Sequence, residues 1–374
     1  MTGFFQSIIT IVLFIAILGI LVIIHELGHF VTARLAGVRV LEFGLGFPPR
    51  AKVLRAKGET LYTLNWLPIG GFVKLEGEDG NDANDPRSFS AQSWLKKMVI
   101  LAAGVAMNVL LAFVIFTSIA WLASPLIGIR IHEVTSGSPA AAASIQPGDA
   151  IVAVDGQRFQ FITGPSVLDA LQAKVGQTVV VTLVDGDTGA PHDVTVKLND
   201  KAAVDAGKGA LGIARAESGW EAYLDGATTT NALPAAIAIG ADQTVRAFGL
   251  ILDGLGKLAS SFAADPTAPP PVAGPVGIAM QIGDTLWNYG PILTLYVAGI
   301  LSANLALVNA LPFPPLDGGR MLMITLKRLF GARISLRAEQ LTYVVGMVFL
   351  FAFIIWVTGF DIIRSLTGGT LGGP

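Results

Sequence analysis

Residues 11–29, IVLFIAILGILVIIHELGH, form a long apolar run that ends in two histidines and a glutamate. No charged residue occurs from Met1 to Ile24. A membrane-spanning helix needs roughly 20 mostly apolar residues, so this run is long enough to cross a bilayer. It is too long for the apolar core of a signal peptide and follows no basic residue, which argues against a cleaved leader. The sequence therefore predicts a first span over about 5–33.

Three further uncharged runs predict three more spans, at about 95–123, 288–311 and 339–360. The whole chain of 374 residues is 52% hydrophobic and only 14% charged, against about 25% charged in a typical soluble domain. This composition excludes a soluble globular or disordered protein. We therefore expect a polytopic α-helical membrane protein with four transmembrane helices in contact with the lipid bilayer.

The basic residues of the loops predict the orientation of these spans. Segment 34–97 contains ten Lys and Arg residues and segment 320–337 contains five, whereas the long segment 124–284 contains nine basic and sixteen acidic residues. We expect the two short basic segments to face the cytoplasm, with 124–284 and both termini outside.

Charge and cysteine content exclude several other functions. The net charge of −2 provides no basic surface for nucleic acid, so no nucleic-acid partner is expected. The chain has no cysteine, which excludes disulfides, thiolate nucleophiles and cysteine metal ligands.

Four segments organise the chain. Residues 1–123 and 287–374 carry the predicted spans, and a loop at 38–78 alternates apolar and polar residues like β-structure. Residues 124–200 predict a small β-rich domain, in which TVVVTLV, DGDTG and DVTVKL have the pattern of a hairpin. Residues 201–286 contain an amphipathic helical stretch at 234–263, expected near the outer membrane surface, and a Pro-rich linker.

The motif HELGH predicts a metal site at the cytoplasmic end of the first span. His25 and His29 are four residues apart, so they lie on one face of a helix and can bind one Zn²⁺. Glu26 can then take a proton from a water that the metal has made acidic. Ionisable residues inside a span are costly and usually functional. The alternative is a helix end whose polar side chains reach the membrane interface.

The third ligand is expected to be a carboxylate. The other two histidines, His132 and His192, lie in the outer segment, and no cysteine exists. Asp317 follows the third span in NALPFPPLDGGR, residues 309–320, on the same side of the membrane as His29. The prolines end the helix there, and Gly318 and Gly319 permit a close approach of the backbone. The alternative is an aspartate at an ordinary boundary between helix and loop.

These motifs resemble the bacterial site-2 protease family, intramembrane zinc metalloproteases with one inserted PDZ domain. NALPFPPLDGG matches the family pattern Asn-x-x-Pro-x-Pro-x-Leu-Asp-Gly. The resemblance implies that Asp317 is the third zinc ligand and that Asn309 supports the substrate or the developing oxyanion.

The resemblance also covers the predicted β-loop. IGGFVKLEGE, residues 69–78, is similar to a membrane-associated strand that pairs with the substrate backbone in this family. It implies substrate-binding positions at Gly70, Gly71, Phe72 and Val73. Strand addition would satisfy the backbone groups of an unwound substrate helix. An ordinary hairpin that packs on the membrane face is the alternative.

In the second span, Gly104 and Asn108 resemble a Gly-Pro-x-x-Asn motif of the family, with Val105 in place of proline. Asn108 is therefore a candidate substrate contact. Packing of small residues between helices, with Asn108 as a polar contact, explains the motif equally well.

GSPAAAASIQPGDAIVAVDG, residues 137–156, resembles a PDZ domain, with Ser144 where the family usually has glycine. PDZ domains bind peptide C-termini by strand addition. In this family the domain is read as a filter against substrates with bulky outer domains, and a rigid plug without a ligand is the alternative.

The resemblance implies a zinc endopeptidase of a bacterial cytoplasmic (inner) membrane. It would cleave single-span membrane proteins, such as anti-sigma factors or signal peptide remnants, in regulated intramembrane proteolysis. Two other classes remain at this point. A zinc transporter would need polar residues along the other spans and has no use for Glu26, whereas an inactive PDZ-bearing adaptor would be expected to lack a ligand or the base.

Overall fold

The computed structural model describes residues 2–56, 58–78, 84–160, 166–214, 221–265, 267–331 and 336–367. The chain divides into two compact units, one formed mainly by Met1–Ile115 and Ala247–Leu371 and the other mainly by Phe116–Arg246.

The secondary structure follows the predicted alternation of long apolar helices and β-rich segments. The helices of the described residues are α1 (Thr2–Leu35), α2 (Trp94–Leu122), α3 (Pro139–Ala142), α4 (Val167–Ala173), α5 (Lys201–Asp205), α6 (Leu233–Ala264), α7 (Pro275–Tyr289), α8 (Pro291–Ala310), α9 (Asp317–Phe330) and α10 (Leu336–Thr367). The strands are β1 (Val40–Arg55), β2 (Leu61–Leu75), β3 (Ser124–Arg130), β4 (Glu133–Val134), β5 (Ala150–Val154), β6 (Gln157–Gln160), β7 (Thr178–Val184), β8 (Pro191–Lys197), β9 (Ile213–Ala214) and β10 (Glu221–Thr229).

Five helices of the described residues are long and apolar enough to cross a membrane. Four of them, α1, α2, α8 and α10, correspond to the four predicted spans. The fifth is α6, the least apolar of the five, which carries Asp242, Arg246, Asp253 and Lys257. Its location at the outer membrane surface stays a prediction, because length and composition alone also permit it to span.

In the first unit, β1 and β2 form an irregular antiparallel hairpin, so the expected β-structure of the 38–78 loop is confirmed for its described residues. Residues 42–45 pair with 61–64 on one side and with 71–74 on the other. Segment 71–75 is therefore an edge strand within the described structure. Its buried side chains pack with the end of α1 and the beginning of α2 in one apolar cluster that includes Val73, Leu75 and Ile100.

The second unit contains a six-stranded sheet in the order β10-β3-β6-β5-β7-β8. The predicted hairpin is present as β7 and β8, and the alternating side chains of β7 bury Val179, Val181 and Leu183 in the core. Each of α3 and α4 begins at a serine whose side chain accepts a backbone N–H, as helix N-caps do.

This sheet extends beyond the predicted domain boundary at residue 200. β10 pairs with β3 as an outer strand of the sheet, and β9 pairs with β4. The sequence of β10 hides this role because the register shifts between Leu224 and Thr228, around Gly226, which interrupts the alternation typical of a strand. Residues 161–165 and 215–220 of this segment lie outside the described residues, as do 79–83 of the acidic loop.

Helix α7 was not expected from the sequence and is held by a carboxylate of α10. Pro275 is its first residue, a position that proline favours, and Gly290 with φ +83° separates it from α8. Asp361, only 1% exposed, accepts the Gly277 N–H at 2.8 Å. A Cβ on Gly274 or Gly277 would lie 2.8–2.9 Å from the Asp361 carboxylate oxygens. The two glycines therefore let the carboxylate reach the first turn of α7, whose free N–H groups favour a negative charge.

Candidate metal centre and substrate cavity

Helix α1 presents both histidines of HELGH to the interior. His25 and His29 are 7% and 8% exposed, and their Nε2 atoms are 3.2 Å apart. The spacing of four residues places the two rings on one helix face, as predicted. The planes of the two rings meet at 83°, so both Nε2 atoms can point toward one position.

Two glycines make room for this arrangement where α1 crosses α2. A Cβ on Gly28 would lie 2.7 Å from the carbonyl carbon of Ala103, so the two backbones approach closely there. A Cβ on Gly104 would collide with the His29 ring and lie 2.8 Å from His25 Cε1. The space that the two imidazoles occupy therefore exists because α2 has no side chain at position 104.

Asp317 reaches the same position from the other end of the chain. α8 ends at Ala310, before the prolines, and Asp317 is the first residue of α9. A Cβ on Gly319 would lie 2.5 Å from Phe313 C, and one on Gly318 would overlap the carbonyls of Ala310 and Leu311. The predicted close approach of the backbone at these two glycines is confirmed.

Three donor atoms converge on one point. Asp317 Oδ2 lies 3.0 Å from His25 Nε2 and 3.3 Å from His29 Nε2. Three ligands bound to a tetrahedral zinc at 2.0–2.1 Å are ~3.3 Å from one another, close to this triangle. Asp317 Oδ2 is buried and has no hydrogen-bond partner among the described residues, which a metal would supply. The donor set of two imidazoles and one carboxylate suits Zn²⁺.

The protonation of the ligands also suits a metal. His29 Nδ1 lies 2.8 Å from the carbonyl oxygen of Ile100, which can only accept, so this nitrogen carries the proton and Nε2 keeps its lone pair. Burial opposes the ionisation of Asp317, but without a metal the protons that the two imidazoles can direct at it hold the pKa of its carboxyl well below the usual range, and a bound metal would take the place of those protons. The carboxylate is therefore available as an anionic ligand.

The predicted substrate contact Asn108 lies behind the imidazoles. Its side chain is fully buried, and Nδ2 lies 3.3 Å from His25 Nδ1, while Oδ1 has no partner among the described residues. The two ends of an amide are assigned from the hydrogen-bond network. With the amide turned by 180°, Oδ1 accepts the proton of Nδ1 and leaves His25 Nε2 free for a metal. This geometry fits orientation of a ligand, in the way that outer hydrogen bonds orient metal-binding histidines.

A cavity of about 680 Å³ opens beside the three donors. His25, Glu26, Asn309 and Asp317 line it, so Glu26 and Asn309 share the space next to the metal-binding atoms. The rest of the wall is mostly apolar and includes four side chains of α10, namely Met347, Leu350, Phe351 and Ile354. No pattern in the sequence indicated that α10 contributes to the site, because its apolar residues have the composition of any lipid-facing span.

The edge strand 71–75 runs along this cavity. Phe72, Val73 and Leu75 line it, and a Cβ on Gly71 would lie 3.4 Å from Glu26 Cγ. Four residues of this segment were predicted to bind substrate. Phe72 and Val73 face the cavity, Gly71 packs against α1, and Gly70, with φ +88°, forms the turn before them. Within the part of the chain that the structure describes, the strand therefore offers an unpaired backbone edge close to the predicted base.

An ion pair joins the end of this strand to α9. Glu78 accepts the Leu75 N–H at 3.0 Å through Oε2 and pairs with Arg320 through Oε1. Burial of Arg320 opposes its charged form, but the Glu78 carboxylate holds the pKa of the guanidinium above its usual value. Arg320 lies three residues after Asp317 on α9, so the pair links the strand edge to the helix that carries the carboxylate ligand. Sequence reasoning missed this pair, since neither residue belongs to the motif of the other.

The sequence model of the family described as "Peptidase family M50" matches residues 13–353. A Clostridium perfringens protein named "Putative zinc metalloprotease CPE1693" is 29% identical over 343 residues, which cover 92% of this chain and 95% of that protein. The zinc metalloprotease RasP of Bacillus licheniformis is 27% identical over 441 residues, which cover 95% and 99% of the two chains.

Proposed function

The chain belongs to peptidase family M50 and is a multi-pass membrane zinc metalloprotease, and on this premise we propose that it cleaves single-span membrane proteins within the depth of the bilayer. The observation that supports this proposal best is the position of HELGH inside α1, a helix of 34 residues with many exposed apolar side chains. A peptidase centre built into a span acts on a substrate that enters from the lipid. Anti-sigma factors and signal peptide remnants, cleaved in regulated intramembrane proteolysis, are substrates of this class.

We assign the zinc ligands to His25, His29 and Asp317. The triangle of donor atoms and the unpartnered Asp317 Oδ2 support this assignment. When bound there, the metal supplies the positive charge that polarises the scissile carbonyl and makes water a nucleophile near neutral pH.

Glu26 is the proposed general base. Its carboxylate is adjacent in sequence to His25 and lines the cavity, so it can take a proton from the attacking water. The protonated carboxyl then delivers this proton to the nitrogen of the departing peptide, which completes hydrolysis. Asn309 lines the same cavity and can donate an amide N–H to the oxygen on which negative charge develops.

The edge strand 71–75 provides a place for the unwound substrate. A peptide bond in a helix is shielded because its N–H and C=O groups are hydrogen-bonded within the helix, so hydrolysis requires local unwinding. An extended substrate that pairs with the free edge regains backbone hydrogen bonds beside Glu26. The apolar wall of the cavity is suited to the side chains of a membrane-spanning segment.

The β-rich unit is the proposed PDZ-like domain. Its helices α3 and α4, its antiparallel sheet and the PGD turn at 147–149 support that assignment. We propose that it lies outside the cytoplasmic (inner) membrane of a bacterium and excludes substrates with bulky outer domains or binds a peptide. The basic segments 34–97 and 320–337 would then face the cytoplasm, and a reporter fused after residue 200 should report from outside.

Co-expression with candidate single-span proteins tests the proposed activity. Glu26→Gln keeps the shape of the side chain but cannot take up the proton, so we expect loss of cleavage with unchanged zinc content. Glu133→Gln is the matched control, because Glu133 is an exposed glutamate of β4 in the second unit. Cleavage by Glu26→Gln at the wild-type rate would contradict the role of this carboxylate.

Metal analysis tests the ligand set separately. Purified His25→Ala and Asp317→Ala should each contain much less zinc than the wild-type protein, since removal of one of three ligands leaves an incomplete site. Full zinc occupancy in both variants would contradict the proposed set of zinc ligands, whatever the substrate is.

A further inference from the structure

A second cavity, of about 610 Å³, lies next to the substrate cavity and has no role in the proposed hydrolysis. The two share Glu78 and Arg320 as a common wall. The second cavity is more polar than the substrate cavity and lies between the first turn of α2, the helix α9 and the beginning of α10. Its remaining lining residues are Gly77, Phe89, Ser90, Trp94, Lys97, Ile324, Lys327, Arg328, Glu339 and Tyr343.

The described lining carries two positive charges in excess. It contains four basic side chains and two carboxylates. Arg320 pairs with Glu78, and Lys327 pairs with Glu339. Lys97 and Arg328 have no carboxylate partner among the described residues.

The two unneutralised cations are held in position by uncharged groups. Lys97 Nζ donates to the Ser90 carbonyl oxygen at 2.7 Å and lies 5.8 Å from the centre of the Phe89 ring. The Arg328 guanidinium lies over the Trp94 ring, 5.1 Å from its centre. These contacts orient the cations without cancelling their charge. A preformed pair of cations at the wall of one cavity is suited to bind an anion, and guanidinium and ammonium groups both bind phosphate well.

The position of the cavity indicates where this anion comes from. Trp94 and Tyr343 lie near the beginnings of two candidate spans, where interfacial aromatic residues are common. Around this level both helices expose apolar side chains to the surroundings, including Leu95 and Val99 on α2 and Leu341 and Val344 on α10. Leu329 and Phe330 at the end of α9 are also exposed. A ligand with an anionic head and an apolar tail fits these surroundings better than a soluble ion.

We propose that this cavity binds the phosphate group of an anionic phospholipid headgroup, with Lys97 and Arg328 as its charged ligands. Basic pockets between membrane helices on the cytoplasmic side are a known way in which proteins hold such lipids. An anion here would bridge α2 and α9, two of the helices that hold the metal-binding residues in place.

Lipid binding to the purified full-length protein tests the proposal. The protein is titrated in neutral detergent with phosphatidylglycerol, with phosphatidylcholine or with inorganic phosphate, and bound lipid is counted by native mass spectrometry. We expect preferential binding of phosphatidylglycerol. Each basic residue near a membrane surface contributes about fivefold in affinity, so Lys97→Gln/Arg328→Gln should bind it roughly 25-fold more weakly.

Two control variants separate charge from folding. Lys96→Gln removes a neighbouring lysine that does not line the cavity and should bind within twofold of the wild type. Lys97→Arg/Arg328→Lys keeps both charges and should retain most of the affinity. Unchanged zinc content in the double glutamine variant shows that its fold is preserved.

Several results would overturn the proposal. Equal binding of phosphatidylglycerol and phosphatidylcholine would exclude recognition of the anionic headgroup. If inorganic phosphate bound as tightly as phosphatidylglycerol, the cavity would be assigned to a free ion. An acidic decapeptide is titrated in the same way. If the peptide bound and phosphatidylglycerol did not, the cavity would be assigned to a polypeptide instead.

Discussion

Replacing Gly104 by alanine should weaken zinc binding without unfolding the protein. The added Cβ would lie 2.6 Å from His29 Cε1 and 2.8 Å from His25 Cε1, whereas ordinary contacts begin at 3.4 Å. His29 Nε2 would lie closer still. One or both rings must therefore move by at least about 0.6–0.8 Å, several times the ~0.2 Å within which metal–ligand distances are held. Disturbance of groups that orient a metal ligand typically costs 10–100-fold in affinity, so we expect a loss of roughly 1.4–2.8 kcal/mol.

The assay is competition between the purified full-length protein and a chromophoric zinc chelator. Gly19→Ala is the matched control, because a Cβ at Gly19 in α1 meets nothing within 4 Å. Alanine favours a helix over glycine by about 1 kcal/mol, so Gly19→Ala should be neutral or stabilising. Equal zinc affinities of Gly104→Ala and Gly19→Ala would refute the placement of the two imidazoles against α2.

Three further predictions concern other parts of the molecule. Asn108→Ala removes the partner of His25 Nδ1, and zinc affinity should fall about 10-fold in the same competition assay; an unchanged affinity would show that Asn108 does not orient the ligand. Asp361→Ala leaves the Gly277 N–H buried without an acceptor and should cost about 1–3 kcal/mol in thermal unfolding, whereas Asp361→Asn, which keeps an oxygen, should cost less. Leu183→Ala creates a cavity in the core of the second unit and should destabilise that unit by about 2–5 kcal/mol, measured by limited proteolysis; zinc affinity should not change, because the ligands lie in the first unit.

The sequence predicted the long helices and the convergence of the candidate metal-binding histidines because both depend on local chemistry. An uncharged run of about 20 residues has one common solution in a bilayer, and HELGH places two imidazoles on one helix face whatever surrounds it. Asp317 could be predicted from the sequence for a different reason. Once cysteine and further histidines were excluded, few carboxylates remained at the right depth.

Features that depend on contacts between distant segments could not be predicted from the sequence in the same way. The role of Gly104 follows from the crossing of α1 and α2, which no spacing within α2 reveals. Helix α7 depends on a carboxylate 84 residues away, and β10 becomes part of the sheet only by pairing with β3 across a register shift. The ion pair of Glu78 with Arg320 joins residues 242 positions apart.

The separation of the donor atoms along the chain has a consequence for biogenesis. Two of them are synthesised within the first 29 residues, whereas the third follows only at residue 317, after the whole inserted β-rich unit. A nascent polypeptide that has exposed only HELGH to the bilayer thus lacks a complete set of ligands. On the proposed ligand set, peptidase activity requires Asp317 and therefore cannot arise before this carboxylate has been synthesised.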